Sequence, residues 1–161
     1  MPPLLGIVIL TFVPTLELRA SIPYGVLATP LPLGVVVLVA TATNWVLAPL
    51  VYLFLKYVLK LLLRWPWFAR VWERYSQRVL RRIERGVNTW GAWGLALFVG
   101  IPLPGSGVYN GAVGAYVLGM GFRRFMWVAL VGVLIAAALV TLITLSGNEA
   151  FAWLLNKQGV Q

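Results

Sequence analysis

The hydrophobic positions of the chain fall into long apolar runs that are separated by one strongly basic stretch. The basic stretch covers about residues 64–89, and the apolar runs cover about 4–29, 31–63, 90–121 and 122–146. Each run reaches the length of roughly 20 apolar residues that a membrane-spanning helix needs. We therefore predict an all-α integral membrane protein, built as a single membrane domain over residues 1–161.

The run at 90–121 is too irregular at its centre to form one helix. Pro102 and Pro104 each remove a backbone donor and clash with the preceding turn, while Gly105 and Gly107 add backbone freedom that helices disfavour. In hydrocarbon, irregular backbone persists only where it is buried in protein or lines a wet cavity. The pattern predicts a re-entrant hairpin, two half-helices joined by a turn inside the membrane. The alternatives are a kinked spanning helix and a loop between two short helices.

The first apolar run is interrupted in a similar way. Pro14, Glu17, Arg19 and Pro23 stand near its middle. A charged residue at the centre of a spanning helix costs about 2.5–3.5 kcal/mol. Glu17 and Arg19 are two residues apart, whereas side chains that meet on a helix are three or four apart. We predict a second broken-helix hairpin, with both charges in a non-helical turn between Pro14 and Pro23.

The other two runs are predicted to cross the membrane, with cores at about 33–55 and 122–146. The second of these helices is predicted to end near Ser146, Gly147 and Asn148. Asn44 lies near the middle of the first. Because an Asn at this depth usually hydrogen-bonds across helices, Asn44 is predicted either to hold helices together or to contact a substrate.

The basic stretch alternates between bases and apolar residues at helical spacing. Bases recur at Arg70, Arg74, Arg78, Arg81 and Arg85, and apolar residues at Phe68, Val71, Trp72, Tyr75, Val79, Ile83 and Val87. On a helix these two sets face opposite directions. We predict an amphipathic interfacial helix, with its aromatic face in the lipid boundary and its arginines towards anionic headgroups. The alternative is a solvated orientation signal.

The two halves of the chain contain the same order of parts. A shift of 88 residues moves Pro14 onto Pro102, the stretch 17–23 onto 105–111, and 33–55 onto 121–143. If each hairpin enters and leaves on one side, each half crosses the membrane once and the halves are inverted. This predicts repeat 1 at about 4–63, an amphipathic linker at 64–89, repeat 2 at 90–147 and a tail at 148–161.

The position of the positive charges predicts the orientation. In this topology the linker and Arg123–Arg124 lie on the same side, which the positive-inside rule makes cytoplasmic. We predict a multi-pass protein of the cell (inner or plasma) membrane, with a cytoplasmic linker and both termini outside. Two full crossings are few for a closed pathway, which favours a homodimer.

Composition excludes several classes of function. The net charge is +9, from 13 Lys+Arg against 4 acids. A nucleic-acid partner is not predicted, since the cytoplasmic excess of Lys and Arg already explains this charge. The sequence has no Cys and no His, which excludes thiol chemistry, disulfides and the common zinc sites. Without a nucleophile–base pair, we predict neither an enzyme nor a cofactor or metal site.

Three landmarks of the sequence resemble a known family. They are the stretch Pro14-Thr15-Leu16-Glu17-Leu18-Arg19-Ala20-Ser21-Ile22-Pro23, then Asn44 with Pro49, and Ile101-Pro102-Leu103-Pro104-Gly105-Ser106-Gly107. Together they are similar to the putative small multi-drug export protein family, which looks related to the DedA (VTT-domain) membrane proteins. The resemblance implies paired re-entrant loops, inverted repeats, lipid translocation and proton coupling through membrane-embedded acids. The chain is shorter than typical DedA proteins and lacks their additional acid and Arg positions.

The leading functional prediction is a transporter of an amphiphilic anion such as a lipid phosphate. The N-termini of the half-helices suit phosphate, and Ser106, Tyr109 and Asn110 can donate hydrogen bonds at the second turn. Arg19 would add a charge-assisted contact. Glu17 would hold Arg19 or carry a coupling proton. We also predict that Glu17 and Arg19 approach the second turn near the middle of the membrane.

Two other functions fit the same residues. In a proton-coupled exporter of cationic drugs, Glu17 would exchange a proton for a cation, and Trp45, Trp93 and Tyr109 would offer cation–π surfaces. In a non-transporting membrane scaffold, the basic helix would recruit lipids or partners.

Overall fold

The architecture is entirely helical in the part of the chain that the structure describes. A computed structural model describes residues 2–14, 16–103 and 105–158, with side chains throughout these ranges except at 85 and 148–158. The elements are α1 (Pro3–Phe12), α2 (Glu17–Ala28), α3 (Leu33–Tyr57), α4 (Leu59–Leu62), α5 (Pro66–Trp90), α6 (Ala92–Gly100), α7 (Val108–Val117) and α8 (Phe122–Gln158). The prediction of an all-α protein is confirmed.

Two of the described segments are long and apolar enough to cross a membrane. They are Leu33–Leu62, which comprises α3 and α4, and Phe122–Gly147, the first part of α8. The predicted end of the last helix near Ser146–Asn148 is wrong, because α8 continues to Gln158. Residues 149–155 are mostly Glu, Ala and Leu with two aromatics, and such residues favour a helix enough to pass a single Gly.

Both predicted breaks are present, but the first is shorter than predicted. Pro14 lies in the turn between α1 and α2, whereas Pro23 lies inside α2. The assignment of Pro23 to the turn is therefore wrong, as is the non-helical placement of Glu17 and Arg19, since α2 begins at Glu17. α2 buries Leu18 and other residues on both sides of Pro23, and this packing outweighs the cost of an internal proline.

The second break lies between α6 and α7, as predicted. Pro102 is in this loop, and Gly105 and Gly107 have φ of +81° and +101°. Such positive φ values are strained for residues with a Cβ. Pro104, which we also assigned to the turn, lies outside the described residues.

The helix bounds of the two halves follow the 88-residue shift. Moved on by 88, α1, α2 and α3 cover 91–100, 105–116 and 121–145, within about three residues of α6, α7 and the start of α8. The two halves also pack against each other, α2 on α8 and α7 on α3. The inversion of the halves, the re-entrant path of the hairpins and the outside location of both termini stay predictions.

The linker helix α5 packs on the second hairpin. Its residues Val79 and Ile83 are buried, and a Cβ at Gly114 would collide with Ile83. Gly86 and Gly94 lie so close that a Cβ on Gly94 would meet the Gly86 carbonyl. The prediction that this apolar face lies in the lipid boundary is therefore wrong for its central part, which covers protein. An apolar stripe has the same composition whether lipid or protein covers it.

Candidate functional site

The two hairpins meet through the side chain of Glu17. Its carboxylate accepts hydrogen bonds from the backbone N–H of Val108 to Oε2 at 3.1 Å and of Tyr109 to Oε1 at 3.3 Å. These are the first residues of α7, whose N-cap residue Gly107 has no side chain. Glu17 therefore caps α7 from the other half of the chain, as an N-cap side chain would do locally.

The backbone conformations of Glu17 and Gly107 allow the Glu17 carboxylate to reach the N-terminus of α7. Glu17 has φ +43°, which is uncommon for a residue other than glycine. Gly107 has φ 101° and ψ −173°, a region that is essentially restricted to glycine. A Cβ on Gly107 would lie 2.5 Å from Glu17 Oε2. The close approach of the carboxylate thus requires glycine at this position.

Asn44 reaches the same carboxylate from α3. Its Nδ2 lies 3.5 Å from Glu17 Oε2, at the limit of a hydrogen bond. Asn44 is 2 % exposed, and its Oδ1 is a buried acceptor without a partner among the described residues. The Nδ2 of Asn44 therefore faces the Glu17 carboxyl group, while its Oδ1 has unused hydrogen-bonding capacity.

Arg19 bonds to the turn of the second hairpin rather than to Glu17. Its Nη2 donates to Ser106 Oγ at 2.6 Å. The Ser106 hydroxyl is also held inside the turn, where it faces the Ile101 and Leu103 carbonyls and accepts from the Leu103 N–H. Within the described structure Glu17 and Arg19 form no ion pair with each other. Their predicted approach to the second turn is confirmed, whereas its depth in the membrane stays a prediction. Their direct pairing is not confirmed.

Tyr109 and Asn110 are also occupied by contacts within the protein. The Tyr109 hydroxyl donates to the carbonyl of Phe12 at the end of α1. Asn110 Nδ2 donates to the Gly105 carbonyl at 2.9 Å, and Asn110 Oδ1 accepts from the Tyr75 hydroxyl of α5. All six predicted site residues thus lie around the second turn. Their predicted contact with a substrate stays a prediction.

Two residues of the linker helix join this cluster without having been singled out in the sequence. Tyr75 reaches Asn110, and the Arg82 guanidinium lies directly against Gly105, where a Cβ would collide with it. Burial raises the pKa of the Tyr75 hydroxyl, and the charge of nearby Arg82 opposes this effect. The sequence does not distinguish Tyr75 and Arg82 from the other aromatic and basic residues of α5, because only the packing of α5 on the turn brings these two residues to the site.

The electrostatic balance of the site favours negative charge. Glu17 is the acidic group described in it, whereas Arg19, Arg82 and the N-terminus of α7 are positive. The space between Glu17, Arg19 and Asn44 is a void of only about 10 Å³, which is about the minimum that holds one water molecule. The described conformation is therefore closed at this point, because no larger molecule fits beside the Glu17 carboxyl group.

A family model described as "Putative small multi-drug export protein" matches residues 17–139. The match covers more than half of the chain. The six predicted site residues, from Glu17 to Asn110, all lie within the matched range. No curated protein and no solved structure matches the chain.

Proposed function

We propose that this chain, which belongs to the putative small multi-drug export protein family, transports an amphiphilic anion such as a lipid phosphate. The family description and the two apolar helices indicate an export protein of the membrane. The substrate class is inferred from the site. The landmarks resemble the small multi-drug export family, which looks related to the DedA proteins, and the lipid translocation that this relation implies supports the same class.

The observation that carries the proposal is the binding of the Glu17 carboxylate at the N-terminus of α7. Free N–H groups and the positive end of the helix dipole form a ready site for a carboxylate or a phosphate. Here the protein's own carboxylate occupies that site. A substrate anion would bind the same donors when Glu17 leaves them.

Protonation of Glu17 provides a way to release these donors. A neutral carboxyl group accepts hydrogen bonds from a helix N-terminus less strongly than a carboxylate. Its new O–H needs an acceptor, and the unpartnered Oδ1 of Asn44 could serve after the amide turns. Proton uptake at Glu17 would thus accompany the binding of an anion, which would couple transport to protons.

The alternative function, export of cationic drugs, is supported by the family description, which names multi-drug export, and by the aromatic side chains Trp45, Trp93 and Tyr109. A cation at this site would have to approach Arg19, Arg82 and the helix N-terminus. It would also have to withdraw Glu17, which is only 6 % exposed, from its backbone donors. The positions of the charges therefore favour the anion.

We further propose a homodimer, since the described chain offers only two candidate membrane crossings, which are few for a closed transport pathway.

The proposal is tested by transport in liposomes. Purified protein should accelerate the transbilayer movement of fluorescent phosphatidylglycerol and leave a cationic dye such as ethidium unaffected. Loss of a charge-assisted hydrogen bond, worth about 1.5–3 kcal/mol, should make Arg19→Gln roughly 10-fold slower or more. Arg70→Gln, at an exposed arginine of α5, is the matched control and should keep the wild-type rate.

Two results would count against the proposal. One is dye movement that requires Glu17 but not Arg19, because that pattern belongs to a cation exporter. The other is equal slowing by Arg19→Gln and Arg70→Gln, because the effect would then reflect the total positive charge rather than the site.

A further inference from the structure

An apolar groove of about 440 Å³ lies beside the candidate site, between α3, α5 and α7. Its walls include Leu50 and Phe54 of α3, Trp72 of α5 and Phe12 of α1. Leu50 is 51 % exposed, and both α3 residues belong to the candidate spanning segment Leu33–Leu62. The groove therefore opens on the exposed apolar side of this candidate spanning segment.

Two tyrosines connect this groove to the second turn. Tyr75 and Tyr109 both line it. The Tyr75 hydroxyl bonds to Asn110, which bonds in turn to Gly105, and Arg82 lies against that same glycine. A molecule in the groove would thus have apolar walls along its length and a hydroxyl and a guanidinium within reach.

We propose that the groove binds an acyl chain of an anionic membrane lipid, with the lipid's phosphate against Arg82 and Tyr75. This inference rests on the proposed function, because it places the loading position of the amphiphilic anion. The volume lies in the range of about 300–1,000 Å³ that is usual for small-molecule sites. Charge decides the type of lipid, since the exposed arginines of α5, including Arg78 and Arg81, attract anionic headgroups.

Among the arginines of α5 whose side chains are described, Arg82 has a position of its own. It lies against Gly105, so a phosphate bound to it would be held beside the closed anion site. From there the headgroup could reach the α7 N-terminus when Glu17 leaves. The acyl chain would stay in the groove and in contact with the membrane.

Photocrosslinking of lipids tests the groove independently of transport. The full chain is placed in phosphatidylcholine vesicles with diazirine-labelled phosphatidylglycerol, or with phosphatidylcholine that has the same labelled chain, and the adducts are mapped by mass spectrometry. Phosphatidylglycerol adducts should concentrate on groove residues. Since one arginine near a headgroup is worth about 1 kcal/mol, Arg82→Gln should reduce these adducts roughly 5-fold.

Matched variants separate the groove from general contact with lipid. Leu50→Trp should fill the groove and strongly reduce the adducts, whereas Val46→Trp, at a 50 % exposed residue of the same helix outside the groove, should not. Arg81→Gln, at an exposed neighbour of Arg82, removes the same surface charge and should reduce the adducts clearly less than Arg82→Gln does. All variants are compared at equal amounts of folded protein.

Three outcomes would overturn the inference. They are equal labelling by the two lipids, labelling spread evenly over the exposed apolar residues, and groove residues that stay unlabelled while the other exposed apolar residues are labelled, which would show that something else covers the groove. The failure of the transport proposal has a different signature. Groove adducts that depend on Arg82 in a protein that moves no lipid would leave the binding site standing and refute transport.

Discussion

Replacing Glu17 by leucine should strongly destabilise the protein. The substitution removes the acceptor of the Val108 and Tyr109 N–H groups and leaves these donors unpaired in the protein interior. A buried unsatisfied donor costs about 1–3 kcal/mol. Part of this cost is offset because a carboxylate no longer has to be buried. We expect a net loss of about 2–3 kcal/mol, or roughly 5–10 °C in Tm.

Glu17→Gln is the conservative variant for this prediction. Its amide oxygen still accepts a hydrogen bond, so it should lose about 1 kcal/mol or less, mostly from the helix dipole. Glu84→Leu, at an exposed acid of α5, is the control and should leave Tm nearly unchanged. Thermal unfolding of the purified proteins in one detergent measures all three. If Glu17→Leu were as stable as the wild type, Glu17 would not be the cap of α7.

Gly107→Ala should destabilise the protein to a similar degree. Its φ of 101° and ψ of −173° are unfavourable for alanine, and its new Cβ would lie 2.5 Å from Glu17 Oε2. Backbone strain of this type costs about 1–3 kcal/mol, and displacement of the Glu17 carboxylate adds the loss of the cap. We expect a total of about 2–4 kcal/mol.

Alanine substitutions at two other glycines separate the cost of backbone strain from the cost of displacing the Glu17 carboxylate. Gly119→Ala introduces strain at φ +65° without any atom nearby, and Gly121→Ala introduces neither strain nor a close contact. Gly121→Ala should therefore be nearly neutral and Gly119→Ala intermediate. Combined with Glu17→Gln, Gly107→Ala should cost less than in the wild type, since residues in contact couple by about 0.5–3 kcal/mol. Strict additivity of the two changes would show that Gly107 and Glu17 do not act on one another.

The sequence predicted the parts of this fold that depend on backbone chemistry. Proline marks both breaks, glycine marks the second, and the 88-residue shift relates the helices of the two halves. The cost of burying Glu17 and Arg19 in lipid correctly predicted that both would find partners at the second turn. These inferences succeed because they require only residue types and their spacing.

The sequence could not show which donors those partners would be. Glu17 binds backbone N–H groups, which are present at every residue except proline and leave no mark in a sequence. For that reason the helix N-terminus was predicted to be open to a substrate, whereas Glu17 occupies it. Pro23 was misplaced for a related reason, because the packing of α2 decides its conformation and depends on the other half of the chain.

The central claim is that Glu17 and the transported anion compete for the N-terminus of α7. The most direct measurement is the affinity of the purified protein for a soluble anionic amphiphile such as short-chain phosphatidylglycerol, compared between the wild type and Glu17→Gln. Removing the competing charge should tighten binding roughly 5-fold, since the glutamine amide holds the α7 N-terminus about 1 kcal/mol less strongly than the carboxylate. Wild-type binding should tighten as the pH falls and Glu17 takes up a proton. Weaker anion binding by Glu17→Gln, or tight binding of a cationic amphiphile that the same substitution abolishes, would contradict the claim.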